Sequence, residues 1–405
     1  LSPSSGMVSG LPVLLADYTF RTKKDVEDYL GILEQTGAYF DALIRYEQEK
    51  SSAGLFMSDT SADNVIEQCD SIMDPVLLSD GSHFLQQTFT ERLDGLASDE
   101  IITGEEKQQY IDKNNLLLTT VMAPAYERIG DAFLVLKGTG TNPYGLCYYP
   151  EGKEYYTYLL AQTTGSSRSI PEIRRLLEKD YQKNFHALRD LVKDHPGLLK
   201  LSPEDFSLSL NMQNSYSDHP EEPGDTDLPT KPAATSDILC RLSEAILDDL
   251  QKQMKPDFPK LTCIPEAKAG QEHDGESNSV SCQIKKVSSS MEAYSSPAYY
   301  LTPPIDDLWH NTIYLNEPNI TDDLTLYTTL AHEGYPGHLY QTVYSQNFLN
   351  QQNASCIRSM LHYGGFVEGW AVYVENLSYG YAAQLTKNEE AAAYIEACRL
   401  NRNLH

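Results

Sequence analysis

The segment His332-Glu333-Gly334-Tyr335-Pro336-Gly337-His338 constrains the fold most, because it interrupts what would otherwise be one long helix. Thr321-Asp322-Asp323 reads as a helix start, a hydroxyl N-cap followed by two carboxylates at the positive end of the helix dipole. Residues 324–333 then read as helix. Pro336 has no N–H to offer the carbonyl of His332, and its ring clashes there. Gly337 permits the backbone angles that re-aim the chain. A second helix is expected from His338 over residues 339–349. The pattern therefore predicts two helices meeting at a sharp bend, with a histidine on each side of it.

Thr325, Thr328, Thr329 and His332 fall at i, i+3, i+4 and i+7, a polar stripe on a helix whose other face carries Leu326 and Leu330. Zinc peptidases commonly place two histidines at i and i+4 of one helix, with a glutamate beside the first. Here the second histidine is at i+6, about 240° around an unbroken helix. Only the bend can bring both imidazoles onto one ion. Glu333 is then the natural general base, a carboxylate able to take the proton of activated water as it attacks a carbonyl. A third ligand in gluzincins comes from a glutamate on a following helix. Gly364-Gly365 opens such a helix, and Glu368 lies 30 residues after His338 (368 − 338). Glu375, two turns further on the same face, is placed to orient a ligand histidine. Tyr314, Asn316, Tyr335 and Gln341 are further candidates for supporting the ligands or touching substrate. A plainer reading fits the same residues: His332 and Glu333 as ordinary helix residues, Pro-Gly as a helix end, and Glu368 as a solvated carboxylate. His310 and His362 have no paired partner in sequence and read as structural.

The remaining chain sets these residues in a mainly α (α+β) frame. Residues 1–215 read as an N-terminal helical region. Val26, Tyr29, Leu30, Leu33, Tyr39, Phe40 and Leu43 recur at helical spacing. Helix starts are read at Ser98-Asp99-Glu100, at Thr103 with Glu106 in capping-box spacing, and at Ser169-Ile170-Pro171, whose helix is expected to run to about residue 192. Residues 216–235 are acidic, rich in Pro and Gly, and read as an exposed loop. Residues 236–405 hold a helix, a small sheet and the helices of the candidate site; the whole is expected to form one continuous catalytic domain. Period-two alternation marks strands at 280–284, 298–301 and 311–316, with the polar stretch 270–279 as a loop or hairpin tip. The last strand is either the edge that pairs with an extended peptide or an ordinary core strand. A small antiparallel sheet beside the metal helix is expected.

Composition excludes some classes. The net charge of -27, from 31 basic and 58 acidic side chains, argues against nucleic acid and against an anionic membrane surface. There is no apolar run long enough for a transmembrane helix. The 7 cysteines are widely spaced and form no CxxC pair, which removes a thiolate zinc knuckle and a compact disulfide scaffold. They read as small buried hydrophobes, although Cys263 and Cys282 flank a polar loop and could pair. The N-terminus, Leu1-Ser2-Pro3, carries no recognisable leader and leaves the compartment open.

His332-Glu333-Gly334-Tyr335-Pro336-Gly337-His338-Leu339-Tyr340-Gln341 resembles the signature of the bacterial domain-of-unknown-function family 885. Glu368-Gly369-Trp370-Ala371 is similar to its second block, and Tyr299-Tyr300 with Pro303-Pro304 to the block before the metal helix. Gly152-Lys153-Glu154-Tyr155-Tyr156 and residues 169–172 resemble its central region. The resemblance implies a zincin-like, mostly helical fold, similar to the large helical carboxypeptidases and oligopeptidases. It implies one zinc held by His332, His338 and Glu368, with Glu333 catalytic. Members run on well past the position of residue 405 with further Arg and Tyr motifs, so the chain reads as C-terminally truncated and its oxyanion-stabilising groups are expected beyond its end. The expected function is that of a zinc metallohydrolase, gluzincin-like, acting as a peptidase on a peptide or small amide. Two alternatives stand beside it: a non-catalytic metal-binding or scaffold protein retaining the fold, and a non-peptide hydrolase. An exported or cell-surface location is expected, with a cytoplasmic one as the alternative. The oligomeric state is left open.

Overall fold

Helices make up most of the computed structural model, and their caps explain where they begin. It describes residues 1–3, 6–142, 144–200, 235–261, 280–304, 307–355, 357–361, 363–386 and 388–405. The acidic loop up to residue 234, the stretch 270–279, Cys263, Cys356 and His362 lie outside the described residues. The chain divides into two compact units, one of Leu1–Lys153 with Ser288–Ser295 and one of Glu154–Val287 with Ser296–His405. The division falls within the stretch read from sequence as one N-terminal helical region.

The first unit contains α1 (Met7–Ala16), α2 (Lys23–Ser52), α3 (Asp59–Ile72), α4 (Pro75–Asp80), α5 (Phe84–Ser98), α6 (Gly104–Leu117) and α7 (Ala123–Leu136). Its α2 starts where the Thr22 N–H donates to the Asp25 carboxylate at 2.8 Å. The helix buries Val26, Tyr29, Leu30, Leu33 and Phe40 along one stripe, while Tyr39, expected on the same face, points to solvent. Aromatic rings fill the core: Phe89 lies 5.4 Å from Phe20, edge to face, and 5.1 Å from Tyr29, and Phe40 lies 5.0 Å from Tyr126. The capping box at Thr103 is present, with the Glu106 N–H on the Thr103 hydroxyl at 3.1 Å and the Thr103 N–H on the Glu106 carboxylate at 2.9 Å. Ser98-Asp99-Glu100, expected to start a helix, instead ends α5. Asp99 is its C-cap and Glu100 takes a left-handed φ of 57°. Acidic residues beside a hydroxyl resemble a start in sequence, but the reciprocal bonds that make one form at Thr103. Cysteine burial varies: Cys69 is buried as read, Cys240, Cys282 and Cys398 are half-buried, and Cys147 is exposed.

In the second unit come α8 (Gly152–Thr164), α9 (Ile170–Asp194), α10 (Thr235–Gln253), β1 (Ser281–Lys286), β2 (Ala298–Leu301), β3 (His310–Leu315), α11 (Asp323–Glu333), α12 (His338–Gln351), α13 (Ile357–Met360), α14 (Gly364–Gln384) and α15 (Glu389–Arg402). Ile246 and Leu250 of α10, Ile313 of β3, Tyr327 and Leu330 of α11, and Leu339 and Val343 of α12 share one buried core. Each such side chain contributes roughly 1.5–3 kcal/mol by leaving water. The Tyr327 hydroxyl donates to Asp249 at 2.7 Å and ties α11 to α10. Among the described residues no helix is long and apolar enough to cross a membrane.

The sheet is mixed rather than antiparallel. Its order is β1-β3-β2, with β3 antiparallel to β2 and parallel to β1. Alternation reports which side chains share a face but carries no strand direction. Direction follows from the connections, and the long return from β1 through β2 to β3 permits the parallel pairing. β3 is therefore the central strand. β1 and β2 are the edge strands, so of the two readings open for residues 311–316 the structure bears out the core strand rather than the edge.

Candidate functional site

The bend forms where the sequence places it. α11 ends at Glu333, Gly334 already lies outside the helix, a cis peptide joins Tyr335 to Pro336, and α12 begins at His338. Both glycines are needed for close approach. A Cβ on Gly337 would run into the carbonyl oxygen of His332, and one on Gly334 would stand 2.6 Å from Leu247 Cδ2 and 2.9 Å from the Leu330 oxygen. The N-cap of α11 is Asp322, which accepts from the Thr325 N–H at 2.8 Å, while Thr321 donates its hydroxyl to Asp322 at 2.9 Å. The expected Thr321 cap is displaced by one residue because a carboxylate accepts more strongly than a hydroxyl. From α14, the Trp370 indole N–H donates to the Pro336 oxygen at 2.9 Å. That bond holds the start of α14 against the bend.

The bend sets the two imidazoles edge to face, with ring centroids 4.8 Å apart. Glu368 projects from the first turns of α14, and its Oε2 lies 3.5 Å from His332 Nε2 and 3.7 Å from His338 Nε2. Its side chain is 64% exposed, so that oxygen meets the two rings from the solvent side. Glu333 approaches from within. A single carboxylate oxygen of Glu333 and one nitrogen from each of His332 and His338 lie within 4.8 Å of one another. The Tyr300 backbone N–H donates to Glu333 Oε2 at 2.8 Å. That donor points away from β3, so the free edge of β2 faces the site.

Burial and neighbours set the electrostatics. Burial pushes the Glu333 carboxyl up to about 7, against the pull of His332 and the Tyr300 N–H and with help from the negative Glu368 and Glu375. For His332, burial favours the neutral ring, but the hydrogen bond to Glu375 and the surrounding carboxylates outweigh it and raise its pKa. Burial opposes the charged form of Glu375, yet its bonds to His332 and Arg402 hold its carboxyl below the ordinary value. Glu375 Oε2 is 3.0 Å from His332 Nδ1, and Arg402 Nε donates to Glu375 Oε1 at 2.8 Å.

These groups open onto a cavity of about 590 Å³. Its wall is the stripe Thr325, Thr328, Thr329 and His332 of α11, together with Glu333, His338, Glu368, Glu375, Tyr379, Arg402 and the β2 residues Tyr299 and Tyr300. The four other candidates lie elsewhere. Tyr314 stacks on Tyr299 at 5.1 Å, on the central strand. Asn316 is fully buried, Tyr335 packs into the core, and Gln341 is buried one turn beyond His338 on α12. None of these four lines the cavity, because burial consumes the side of each element on which they lie. His310 has a partner after all, Asp307, at 2.9 Å. Sequence reasoning missed Tyr300, Tyr379 and Arg402. Tyr379 was findable, since it falls four residues after Glu375 on the same face of α14. Tyr300 contributes a backbone N–H, and Arg402 arrives from another helix; neither has a local signal.

The fold and site thus define a mainly helical chain whose histidine and glutamate cluster is built at a helix bend beside a small mixed sheet. The chain belongs to the family described as bacterial protein of unknown function (DUF885), whose model matches residues 1–394. No curated protein matches it. A solved structure described as "the putative lipoprotein from Colwellia psychrerythraea" is similar, with a TM-score of 0.70 and 18% identity, over 100% of this chain and 62% of that one. The chain therefore spans 62% of the length of that structure, and at this identity the likeness is one of fold.

Proposed function

We propose that the cluster is a single-zinc hydrolase centre of the gluzincin kind that cleaves a peptide or small amide bond. The observation that carries this reading is the pair of distances from Glu368 Oε2, 3.5 and 3.7 Å, to the Nε2 atoms of His332 and His338. Donors bonded to zinc at about 2.0–2.1 Å in a tetrahedron stand about 3.3–3.4 Å apart. Two imidazole nitrogens and a carboxylate are also the donor set this ion takes, so the residues fit the group. Zinc held there would supply Lewis acidity, lowering the pKa of water and polarising a carbonyl oxygen.

The protein's own groups do the rest. Glu333, which is not assigned to the ion, holds and releases a proton beside it. Its buried carboxyl titrates close to neutral pH, where a general base is most effective. The Tyr300 N–H fixes one of its oxygens and leaves the other for the proton. Glu375 accepts from His332 Nδ1, which leaves Nε2 free to ligate. The free edge of β2 offers main-chain groups to an extended substrate. For location we favour an exported or surface protein, in line with the description of the Colwellia structure.

A second reading rests on the closeness of one Glu333 oxygen to both histidines, within 4.8 Å. With Glu333 as the third ligand, the centre would bind metal without a base and the chain would be a scaffold. Elemental analysis tests the centre. About one zinc per chain is expected in the wild type, with none in His332→Ala or His338→Ala. A wild type that stays metal-free after zinc is added to folded protein would sink both readings.

A further inference from the structure

We propose that Arg402 is a positioning residue of this centre: through Glu375 it fixes the ring of His332 so that Nε2 faces His338 and Glu368. The inference rests on the metal-centre reading above. Glu375 is only 6% exposed, and a buried carboxylate must be held by partners or it turns or takes up a proton. Both its oxygens are held. His332 Nδ1 lies 3.0 Å from Oε2, Arg402 Nε donates to Oε1 at 2.8 Å, and Arg402 Nη2 stands 3.5 Å from Oε2. A guanidinium fork grips a carboxylate in its own plane, which a lysine ammonium cannot do. Glu375 is thereby locked in one orientation with its charge kept. His332 then donates Nδ1–H and presents Nε2. Removing the fork frees Glu375 to rotate about its side chain, and the ring of His332 loses its fixed acceptor.

A merely structural role predicts something different. Arg402 lies in the last turn of α15, where any cation favours the negative end of the helix. Arg399 shares that position and pairs with Glu396 at 2.6 Å on the same helix, away from the cavity lining. Arg399→Gln therefore removes an equal charge from the same turn without touching Glu375.

The test titrates full-length protein with Zn²⁺ in competition with a chelator, for wild type, Arg402→Gln, Arg402→Lys and Arg399→Gln. Arg402→Gln is expected to weaken zinc about 10–100-fold, Arg402→Lys to recover part of the loss, and Arg399→Gln to match the wild type. Loaded with Co²⁺, Arg402→Gln should show an altered visible spectrum, and Arg399→Gln an unaltered one. Wild-type affinity and spectrum in Arg402→Gln overturn the proposal, as does equal weakening in Arg402→Gln and Arg399→Gln. Should Arg402→Gln not fold, Arg402→Lys decides: weakened zinc supports the proposal and wild-type affinity overturns it. The histidine variants separate the two failures. Zinc lost in His332→Ala and His338→Ala but kept in Arg402→Gln fails this proposal alone, whereas no zinc in the wild type fails the centre and the proposal with it.

Discussion

The buried histidine of the first compact unit and the histidine of the site in the second are held in opposite ways. In the first, His83 and Tyr126 meet neutral backbone, although the buried Glu47 is held by the N-terminal ammonium and Lys50. His83 is 1% exposed, with Nε2 on the Ile72 oxygen at 2.7 Å and Nδ1 accepting from the Leu85 N–H at 3.3 Å. The Tyr126 hydroxyl donates to the Val8 oxygen at 2.7 Å. Such groups are satisfied by partners that do not titrate, and burial holds His83 below its ordinary pKa. In the second unit, His332, Glu333, Glu375 and Arg402 have one another as neighbours, so that moving one proton alters the next group. A network of that kind costs stability and lines a cavity, which is where function is to be sought.

The sharpest way to break the contrast is Glu333→Gln. Turnover of a peptide substrate should fall about 10²–10⁴-fold, with zinc content and melting temperature held. Loss of zinc together with turnover would move Glu333 into the ligand set and make the second unit a binding site. A cavity in the first unit should do the reverse. Phe89→Ala, at a fully buried position between Phe20 and Tyr29, should cost about 3–5 kcal/mol in urea unfolding without changing bound zinc. A change in zinc content there would show that packing in the first unit bears on the site in the second.

The smallest effect concerns pH. The folded pKa of His83 is lowered, so its contribution to stability is complete above the free imidazole value, about 6.5. That contribution is lost as pH falls through the folded value, because the unfolded chain binds the proton first. Urea midpoints compared at pH 8 and pH 5 should drop less in His83→Asn, which keeps a capping side chain for α5 and takes no charge. Equal drops in both proteins would show that His83 does not govern acid sensitivity.

Much of this arrangement was legible in the sequence, for reasons of range. Caps such as Thr103 with Glu106, and Ser169 with Glu172, are signals between residues three apart and they hold in the structure. The break after Glu333 and the polar stripe on α11 depend on local geometry and were readable too. Sheet order was not, because Ile284 and Ile313 become neighbours through a connection that leaves no mark on either strand. Nor was the partner of Glu375, since Arg402 reaches it from the next helix. Tyr314, Asn316, Tyr335 and Gln341 lie on the buried sides of their elements, and a residue's place on a strand, at a bend or beside a histidine does not say which side of an element is buried.

The hydrogen bond from Trp370 to the Pro336 oxygen also has an optical consequence. The chain has 2 tryptophans, the other being Trp309. In a Trp309→Phe background all indole emission comes from a group bonded to the bend itself. Its wavelength then follows the solvation of that one N–H, and separation of α14 from the bend is read as a colour shift in a protein whose helix content has not changed.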